Sequence, residues 1–355
     1  MRRNVELFQE GAVRFFAQNK QTRSSEVFFN PTRKFDRDLN VSIFNCLGKK
    51  KLVGLDLLAA SGVRGLRLAV ETNAFRKIII NDIKTTEIIK KNIKLNSRSL
   101  NSRVSATDLN ALYLGRLEEK LDYIDIDPFG SPVRYLPFII SKVRTGGIVS
   151  ITSTDTAALF GKARKACLLR YSAVSFKTGY YNELGLRILI KRSEEIANVY
   201  ERSVSPLLFD VRQHYVRAYL KVTSPVLSDS RIGFLYQCRR CPYRTISEVA
   251  VCPHCGGSTI RLGPIWLGKL FDRALVTAIA SGCSNGTVRE YLYALSAESY
   301  TLSYYTTPEI ASFFKLREVG PLKLGLRTVF NPKGFRTDNS LEEIQIALLK
   351  ENANG

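Results

Sequence analysis

Asp127, Pro128 and Phe129 are three consecutive residues that together could hold an amino group attached to a planar ring. They close the predicted strand 121–127, and a proline directly after an acid makes a stiff turn. In that turn the Asp127 carboxylate and the Pro128 carbonyl oxygen point into one crevice, where they can accept the two N–H groups of an exocyclic amine. The ring that carries the amine would stack on Phe129. The alternative is an Asp-Pro turn with a structural role only.

A second candidate site is the segment 55–65, LDLLAASGVRG, in which a predicted strand passes through small residues into a helix. Small residues such as Ser61 and Gly62 let a ligand come close to the backbone, and the N-terminus of the helix offers free N–H donors. The segment therefore predicts a nucleoside-binding turn. A tight strand-to-helix turn without a ligand is the alternative.

Asp82 and Asp108 lie at the predicted ends of neighbouring strands, where they could bind parts of such a nucleoside. Asp82 follows Gly62 by 20 residues, at a position where an acid can bind both hydroxyls of a ribose. The spacing of Asp56, Gly62 and Asp82 also suits S-adenosylmethionine, whose sulfonium cation favours nearby carboxylates. Asp108 ends the next strand, where it could accept a hydrogen bond from the adenine amino group; a helix cap is the alternative.

Four cysteines form two close pairs, Cys238 with Cys241 and Cys252 with Cys255, separated by ten residues. In an intracellular chain such C-x2-C pairs indicate metal ligands before disulfides. Four thiolates at this spacing predict a tetrahedral zinc site of the ribbon type, with a structural role because no coordination position stays open. A redox dithiol is the alternative for an isolated pair, and His254 is not expected to be a ligand.

Apolar runs alternate with helical segments between residues 51 and 154, which predicts a parallel sheet with right-handed crossovers and therefore an α/β fold. After residue 225 the alternation weakens. We expect a catalytic domain with an N-terminal extension over 1–225, then a smaller α+β domain over 226–355 that carries the zinc ribbon at about 236–258. The predicted strands cover residues 51–58, 77–82, 104–108, 121–127 and 146–154.

The C-terminal region is predicted to be mainly helical after the pair Gly263-Pro264, with the first helix over 265–280. A hairpin is expected over 324–338, with its turn at 331–334. Helices followed by such a basic hairpin resemble a winged-helix arrangement.

The chain carries 53 Lys+Arg against 32 Asp+Glu, a formal charge of +21, which indicates a polyanionic partner. The positive charges are spread along the chain, which favours nucleic acid over an anionic membrane surface. No apolar run approaches the ~20 residues that span a bilayer, and the start lacks the apolar core of a signal peptide. We therefore expect a soluble, cytoplasmic protein. Arg239, Arg240 and Arg244 beside the cysteines would contact the polyanion or form a solvated basic loop.

Several strings of residues resemble the tRNA guanine-26 N2-dimethyltransferase family: LDLLAASGVRGLRLA, IIIND, YIDIDPFGSP, VSITSTDTAALFG and EVFFNPTRKFDRDLNV. The resemblance runs over nearly all of residues 25–220 and continues through 263–268 and 331–335. It implies a class I methyltransferase with a Rossmann-like sheet and helices on both faces. Such an enzyme moves one or two methyl groups from S-adenosylmethionine to the N2 amine of guanosine 26, and of guanosine 27 in some cases, while its C-terminal domain binds tRNA.

The resemblance also implies roles for residues outside these two turns. Arg37 and Arg67 would contact the cofactor, and Phe28 would cover the second face of a guanine that stacks on Phe129. Each arginine could instead be a surface cation, and Phe28 could be a core residue. The full set of expected cofactor contacts is Arg37, Asp56, Ser61, Gly62, Arg67, Asp82, Ile83, Asp108 and Leu109.

Other functions stay open on the site residues alone. A DNA or protein amino-methyltransferase would use the same carboxylate and carbonyl geometry for an adenine or glutamine amine. A non-catalytic, zinc-ribbon protein that binds nucleic acid would have a ligand-free α/β domain. A nicotinamide dehydrogenase is poorly supported, because no suitable His or Tyr/Lys pair accompanies the Asp-Pro-Phe string.

Overall fold

The computed structural model describes residues 5–18, 27–112, 117–226, 231–317 and 320–353. The strands are β1 (Glu6–Glu10), β2 (Val13–Ala17), β3 (Leu52–Asp56), β4 (Phe75–Asn81), β5 (Arg103–Thr107), β6 (Leu121–Ile126), β7 (Val143–Ser153), β8 (Ser203–Arg212), β9 (Tyr215–Thr223), β10 (Ile232–Cys238), β11 (Arg244–Thr245), β12 (Thr259–Trp266), β13 (Tyr305–Thr306), β14 (Leu326–Thr328) and β15 (Asn331–Arg336). The helices are α1 (Lys34–Cys46), α2 (Val63–Glu71), α3 (Thr86–Leu95), α4 (Leu136–Lys142), α5 (Thr156–Leu159), α6 (Arg164–Tyr171), α7 (Tyr181–Val199), α8 (Arg273–Gly282), α9 (Gly286–Ser296), α10 (Thr307–Phe314) and α11 (Leu341–Ala353).

Seven strands form the central sheet in the order β5-β4-β3-β6-β7-β9-β8. Strand β9 runs antiparallel to β7 and β8, and the other neighbouring pairs are parallel. The chain builds outwards from β3 to β5 on one side and from β6 on the other, so the order reverses between β3 and β6. Ligands of open α/β sheets bind at such a point, outside the carboxyl ends of the strands.

Helices cover both faces of this sheet. α1 packs on α2, while α4 and α5 pack on α7. Right-handed crossovers place α2 and α3 on one face and α4 on the other, because the chain moves in opposite directions along the sheet. Strands covered on both faces are continuously apolar, and Ile78, Ile79 and Ile80 in β4 are all buried. The predicted α/β fold, with helices on both faces and a smaller C-terminal α+β part, is confirmed.

The N-terminal hairpin β1–β2 is fixed to helix α3 by two asparagines. The side chain of Asn92 accepts a hydrogen bond from Phe16 N at 2.7 Å and donates to Phe16 O at 3.1 Å. Asn96 makes the same two bonds with the backbone of Arg14, at 3.1 and 2.7 Å. The hairpin is therefore joined to a helix that packs on the central sheet.

The C-terminal part contributes two three-stranded sheets, β11-β10-β12 and β13-β15-β14. Strand β12 packs against α7, and α8 and α9 pack against α1. Buried apolar side chains on both sides of residue 225 belong to one cluster, from Val13 to Phe330. The domain boundary at 225 stays a prediction. Within the described ranges, no helix combines the length and apolar character that crossing a membrane requires.

The predicted helix over 265–280 is wrong in its first half. Ile265 and Trp266 end strand β12, and α8 begins only at Arg273. The Asp272 carboxylate accepts a hydrogen bond from Leu275 N at 3.1 Å and so caps the helix. An apolar run of this length does not distinguish a buried strand followed by a loop from a helix.

The predicted hairpin turn at 331–334 is also wrong, because these residues lie in β15. The chain reverses at Val329 and Phe330, between β14 and β15. Phe330 is buried there and stacks on Phe209, with ring centroids 4.8 Å apart. A tertiary contact therefore sets the turn, against the local preference of Asn331-Pro332.

Candidate active site

Four of the predicted site residues come together at the carboxyl edge of the sheet. Asp56 ends β3, Asp82 follows β4, Asp108 follows β5 and Asp127 follows β6. These strands are parallel neighbours, so their ends meet at one edge, beside the point where the strand order reverses. The sequence analysis predicts this arrangement.

The Asp127 carboxylate lies at this edge, partly exposed and held by two arginines. Its Oδ2 atom accepts hydrogen bonds from Arg33 and Arg64, each at 3.1 Å. The side chain is 26% exposed. Among the described residues, none donates a hydrogen bond to Asp127 Oδ1 or to the Pro128 carbonyl oxygen. Within the described ranges, both acceptors are thus open to an external donor.

Two aromatic rings flank this carboxylate. Phe129 is 55% exposed, and its ring meets that of Phe28 edge to face, with centroids 4.9 Å apart and planes at 77°. The structure therefore brings the two predicted substrate-binding rings together. A guanine held between parallel rings needs about 7 Å between them, twice the ~3.4 Å spacing of stacked bases. The rings must separate before a base can enter between them.

Behind Asp127 lies a group of alternating charges that we call the Arg–Asp cluster. Asp36 lies at its centre and is fully buried. Its carboxylate pairs with Arg33 at 2.6 Å, Arg64 at 2.8 Å and Arg217 at 2.9 Å. The members of the cluster are Arg33, Asp36, Arg64, Asp125, Asp127 and Arg217.

The three arginines and three aspartates of the cluster balance in formal charge. Burial alone would raise the pKa of Asp36, but the guanidinium groups of Arg217, Arg64 and Arg33 outweigh it and hold that pKa well below its usual value. Asp36 therefore stays ionised and fixes the two arginines that bind Asp127. The cluster is a rigid support for the Asp127 carboxylate.

Sequence reasoning misses this support, although one signal for it is present. Asp125 is a charged residue inside the buried strand β6, and such a residue needs a partner. Tyr123 donates to its carboxylate at 2.6 Å, and Arg217 of β9 pairs with it as well. Arg217 lies 92 residues away along the chain, so no local pattern identifies it.

The glycine turn between β3 and α2 has the close packing that its small residues predict. Gly62 adopts a left-handed φ of +78°, which favours glycine. A Cβ on Gly65 would lie 2.8 Å from Ile80, so only glycine lets the helix approach the sheet this closely. Ser61 is buried in the same turn. Asp56 is buried behind it and accepts a hydrogen bond from Gly65 N at 2.9 Å.

Asp82 and the residue after it line the next part of the edge. The Asp82 carboxylate accepts from Ala60 N at 3.0 Å and from Lys84 N at 2.9 Å, which ties the glycine turn to the end of β4. Ile83 exposes 58% of its side chain. One strand further on, Asp108 is exposed and Leu109 is half-buried.

These residues suit an adenosine-containing cofactor. A partly exposed carboxylate at Asp82 can bind ribose hydroxyls, and the exposed apolar side chain of Ile83 offers a surface for a planar base. The exposed Asp108 can accept from an exocyclic amino group. The donor and acceptor set therefore fits S-adenosylmethionine.

Arg37 and Arg67, the two predicted arginine contacts, lie under the N-terminal hairpin and are both bound by Glu10. Arg37 donates to the Glu10 carboxylate at 2.7 and 2.5 Å, and Arg67 donates to it at 2.9 Å. Arg67 also pairs with Asp38 at 2.7 Å and with Glu71 at 2.8 Å. A ligand carboxylate would have to compete with these acids for either guanidinium group.

The four predicted metal ligands, Cys238, Cys241, Cys252 and Cys255, form one compact group. All four sulfur atoms lie within 4.8 Å of one another, with 3.5 Å between those of Cys238 and Cys255. Tetrahedral zinc with Zn–S bonds of about 2.3 Å separates its sulfurs by about 3.8 Å. The donor set therefore fits a structural zinc ion. His254 lies outside the group and contacts Glu342 through Nδ1.

The three arginines near the cysteines differ in their surroundings. Arg239 and Arg240 are exposed. Arg244 is half-buried between the rings of Tyr180 and Tyr305, at 4.3 and 3.9 Å from their centroids. Arg239 and Arg240 are thus open to an external polyanion, whereas Arg244 serves packing.

Comparisons with known proteins identify the family of this chain. The sequence model of the N2,N2-dimethylguanosine tRNA methyltransferase family matches residues 11–349. A tRNA (guanine(26)-N(2))-dimethyltransferase from Saccharolobus islandicus is 33% identical, over 94% of this chain and 96% of that relative. A tRNA (guanine(26)-N(2)/guanine(27)-N(2))-dimethyltransferase from Aquifex aeolicus is 32% identical, over 96% and 95%.

A solved structure is similar over almost the whole fold. It is Trm1 from Pyrococcus horikoshii in a complex with S-adenosyl-L-methionine, with a TM-score of 0.86 and 25% identity. The match covers 97% of this chain and 99% of that one. On the family match and these near full-length relatives, the chain belongs to the N2,N2-dimethylguanosine tRNA methyltransferase family.

Proposed function

We propose that this chain transfers one or two methyl groups from S-adenosylmethionine to the exocyclic N2 of guanosine 26 in tRNA. One observation carries the proposal: the partly exposed Asp127 carboxylate, clamped by Arg33 and Arg64 beside the exposed ring of Phe129. An acid of this kind at the carboxyl edge of a nucleoside-binding sheet suits an amine on a planar base. The family to which the chain belongs supports the same reaction.

The residues of the crevice position the amine for the reaction. Asp127 Oδ1 and the Pro128 carbonyl oxygen accept its two N–H groups, while Phe129 stacks on the guanine. S-adenosylmethionine, when bound, supplies an activated methyl group on a sulfonium centre. Two guanidinium groups fix Asp127 Oδ2, so the carboxylate acts mainly by orientation, which can lower a barrier by about 7–11 kcal/mol. After one transfer a single N–H remains to hold the nitrogen for a second.

The cofactor would lie along the edge formed by the glycine turn and the ends of β4 and β5. Ser61 and Gly62 supply the turn, and Asp56 supports it from behind through Gly65. Asp82, Ile83, Asp108 and Leu109 are the proposed nucleoside contacts. Arg37 and Arg67 stay in the proposed site as predictions, and each would exchange part of its bonding with Glu10 for the cofactor carboxylate.

The cysteine group would hold a structural zinc ion, and the ribbon around it would lie against the tRNA backbone through Arg239 and Arg240. The excess of positive charge on the chain supports a polyanionic partner. A cytoplasmic location stays a prediction. Modification of guanosine 27, named for the Aquifex aeolicus relative, is a second target to be mapped.

The test is methyl transfer from labelled S-adenosylmethionine to a tRNA transcript, with the modified nucleosides identified and positioned by mass spectrometry. Dimethylguanosine at position 26 is expected, and it should disappear when that guanosine is replaced by adenosine. Asp127→Ala should abolish transfer while tRNA affinity stays within about threefold, because the carboxylate acts on orientation. Equal loss of binding and transfer would show that Asp127 has a structural role.

Two further measurements separate the competing functions. Methylation of duplex DNA but not of tRNA would favour an amino-methyltransferase of the other class. The absence of any heat on titration with S-adenosylmethionine would favour a non-catalytic protein that binds nucleic acid.

A further inference from the structure

Helix α6 exposes two adjacent leucines beside the proposed active site. Leu168 is 56% exposed and Leu169 is 83% exposed, the largest value among the big apolar side chains that the described residues leave exposed. Single exposed leucines are common, but an adjacent pair on a charged helix near a binding site indicates contact with a partner. We call these two residues the leucine pair.

The helix is fixed to the turn that carries Phe129. Tyr171, at the end of α6, is fully buried and lies 2.9 Å from Ser153 Oγ through its hydroxyl. Ser153 Oγ in turn donates to Gly130 O at 3.4 Å, and Gly130 directly follows Phe129. Arg170 donates to Asp155 at 2.8 Å, just after strand β7. This buried anchor therefore fixes the helix that carries the leucine pair to the turn of the crevice.

The face of α6 that points away from the protein combines apolar and positive side chains. At 100° per residue, Lys165 projects between the two leucines, while Cys167 and Tyr171 form the buried side. Arg164 is exposed at the border of the two sides, with its guanidinium group 5.4 Å from the ring centroid of Phe176. Lys162, just before the helix, is exposed as well. Positive charge around an apolar tip complements RNA, whose backbone is anionic and whose base faces are apolar.

The proposed reaction gives a reason for apolar side chains at this place. The N2 amine of a guanosine in folded RNA can reach Asp127 only if the base leaves its stack, which costs a few kcal/mol. Proteins that unstack bases frequently insert apolar side chains into the step that they open. We propose that the leucine pair inserts into the tRNA stack at the place the target guanosine leaves, and so holds the base in the crevice. This inference rests on the proposed function.

The experiment compares the double variant Leu168→Ala/Leu169→Ala on two substrates. One is intact tRNA. The other is the same tRNA with an abasic nucleotide opposite the target guanosine, so that the pairing and stacking that keep the guanine in the RNA are weaker. Single-turnover methylation of intact tRNA should slow by about tenfold or more, since each 1.36 kcal/mol of lost support is a factor of ten. On the abasic RNA the variant should approach the rate of the unmodified chain.

Val199→Ala is the matched control, because Val199 is 78% exposed but ends α7 at the opposite edge of the sheet. There Arg202 donates to the carbonyl oxygen of Val143, the first residue of β7. The control should match the unmodified chain on both RNAs.

Two results would overturn the inference: an unchanged rate of the double variant on intact tRNA, or equal slowing on both RNAs. Equal slowing would mean that the leucine pair serves general binding and not the unstacked state. If the unmodified chain methylates neither RNA, the proposed function fails and this inference fails with it.

Discussion

Asp127 shares its Oδ2 atom between two arginines that reach it from different elements. Arg33 comes from the turn before α1, and Arg64 comes from the first turn of α2. Both also bind Asp36, so the position of the Asp127 carboxylate depends on a second carboxylate that is fully buried. Breaking a buried charge pair on one side typically costs 3–5 kcal/mol, roughly a third of the stability of a domain.

Arg33→Gln tests whether this clamp positions Asp127. The change removes one of the two guanidinium groups from Asp127, while Asp36 keeps Arg64 and Arg217. The fold should therefore survive, and kcat should fall by about 10- to 100-fold because the carboxylate can swing out of line. Steady-state kinetics and a thermal unfolding curve measure the two effects.

Lys34→Gln is the control for the loss of positive charge. Lys34 is the next residue, and its 54%-exposed side chain pairs with Asp38 outside the Arg–Asp cluster. If charge alone mattered for tRNA binding, both variants would lose the same activity through KM. Such parallel losses would contradict a positioning role for Arg33.

The connection between β3 and α2 surrounds the buried carboxylate of Asp56. It runs from the end of the strand through Gly62, which has a left-handed φ, into the first turn of the helix. Asp56 lies directly opposite Asp125 in the β3–β6 register. Asp125 has arginine partners in the cluster, whereas Asp56 is bound by the backbone N–H of Gly65. Burial, together with the neighbouring Asp125 charge, raises the pKa of Asp56 to about 7.

Asp56→Asn should change how stability depends on pH. Between about pH 4 and pH 7 the folded chain holds a proton on Asp56 that the unfolded chain has released, so this group lowers stability as pH rises. Near pH 5 the variant should be only about 1 to 2 kcal/mol more stable than the unmodified chain, because the loss begins near pH 4 and is complete near pH 7. Near pH 8.5 it should be more stable by up to a few kcal/mol, at about 1.4 kcal/mol per pKa unit. Urea unfolding at both pH values gives the difference, and the same difference at both would refute the assignment.

The strands that carry the site are predictable because each is a short apolar run with a distinctive end. Helix α7 is not assigned by the sequence analysis, although it has 19 residues. Charged residues such as Glu183 and Lys191 look like a solvated face but are buried in it. Glu183 is neutralised by Arg336 at 2.8 Å, a partner 153 residues away. The pattern within α7 therefore cannot reveal its burial.

The same limit applies to the site itself. Asp127, Pro128 and Phe129 can be found because their chemistry lies in one string of residues. The two arginines that bind Asp127 cannot be found in this way, because Arg33 and Arg64 lie 94 and 63 residues from it along the chain. Only the fold decides which of 53 positive side chains reaches this carboxylate.

In the whole molecule, the buried charges that stabilise the fold are different from the charges that can bind a polyanion. The buried arginines of the Arg–Asp cluster are matched by aspartates, so they contribute nothing to the net charge of +21. The excess must lie on other residues, where it can act on a polyanion. Two separate regions offer such charge, the basic helix α6 and the ribbon around the cysteine group.

The ribbon belongs to a second, smaller apolar cluster that the main core does not include. Its buried members come from β10, α10, β15, α11 and the connections between elements: Cys238, Cys241, Cys252, Ile310, Leu324, Phe335, Leu341, Ile344 and Leu348. Three of the nine are proposed zinc ligands. A cluster this small depends on its metal, as small zinc domains usually do.

Removal of zinc should therefore loosen the C-terminal part and leave the sheet intact. The purified chain is expected to contain one zinc ion, and Cys255→Ser, at the half-buried ligand, should lose it. Limited proteolysis should then cut within 231–353 first, tRNA affinity should fall, and S-adenosylmethionine should still bind in titration calorimetry. Cys46→Ser, a half-buried cysteine outside the group, should keep both the metal and the digestion pattern. A chain that is purified without zinc, or whose digestion is unchanged in Cys255→Ser, would contradict the structural role of the metal.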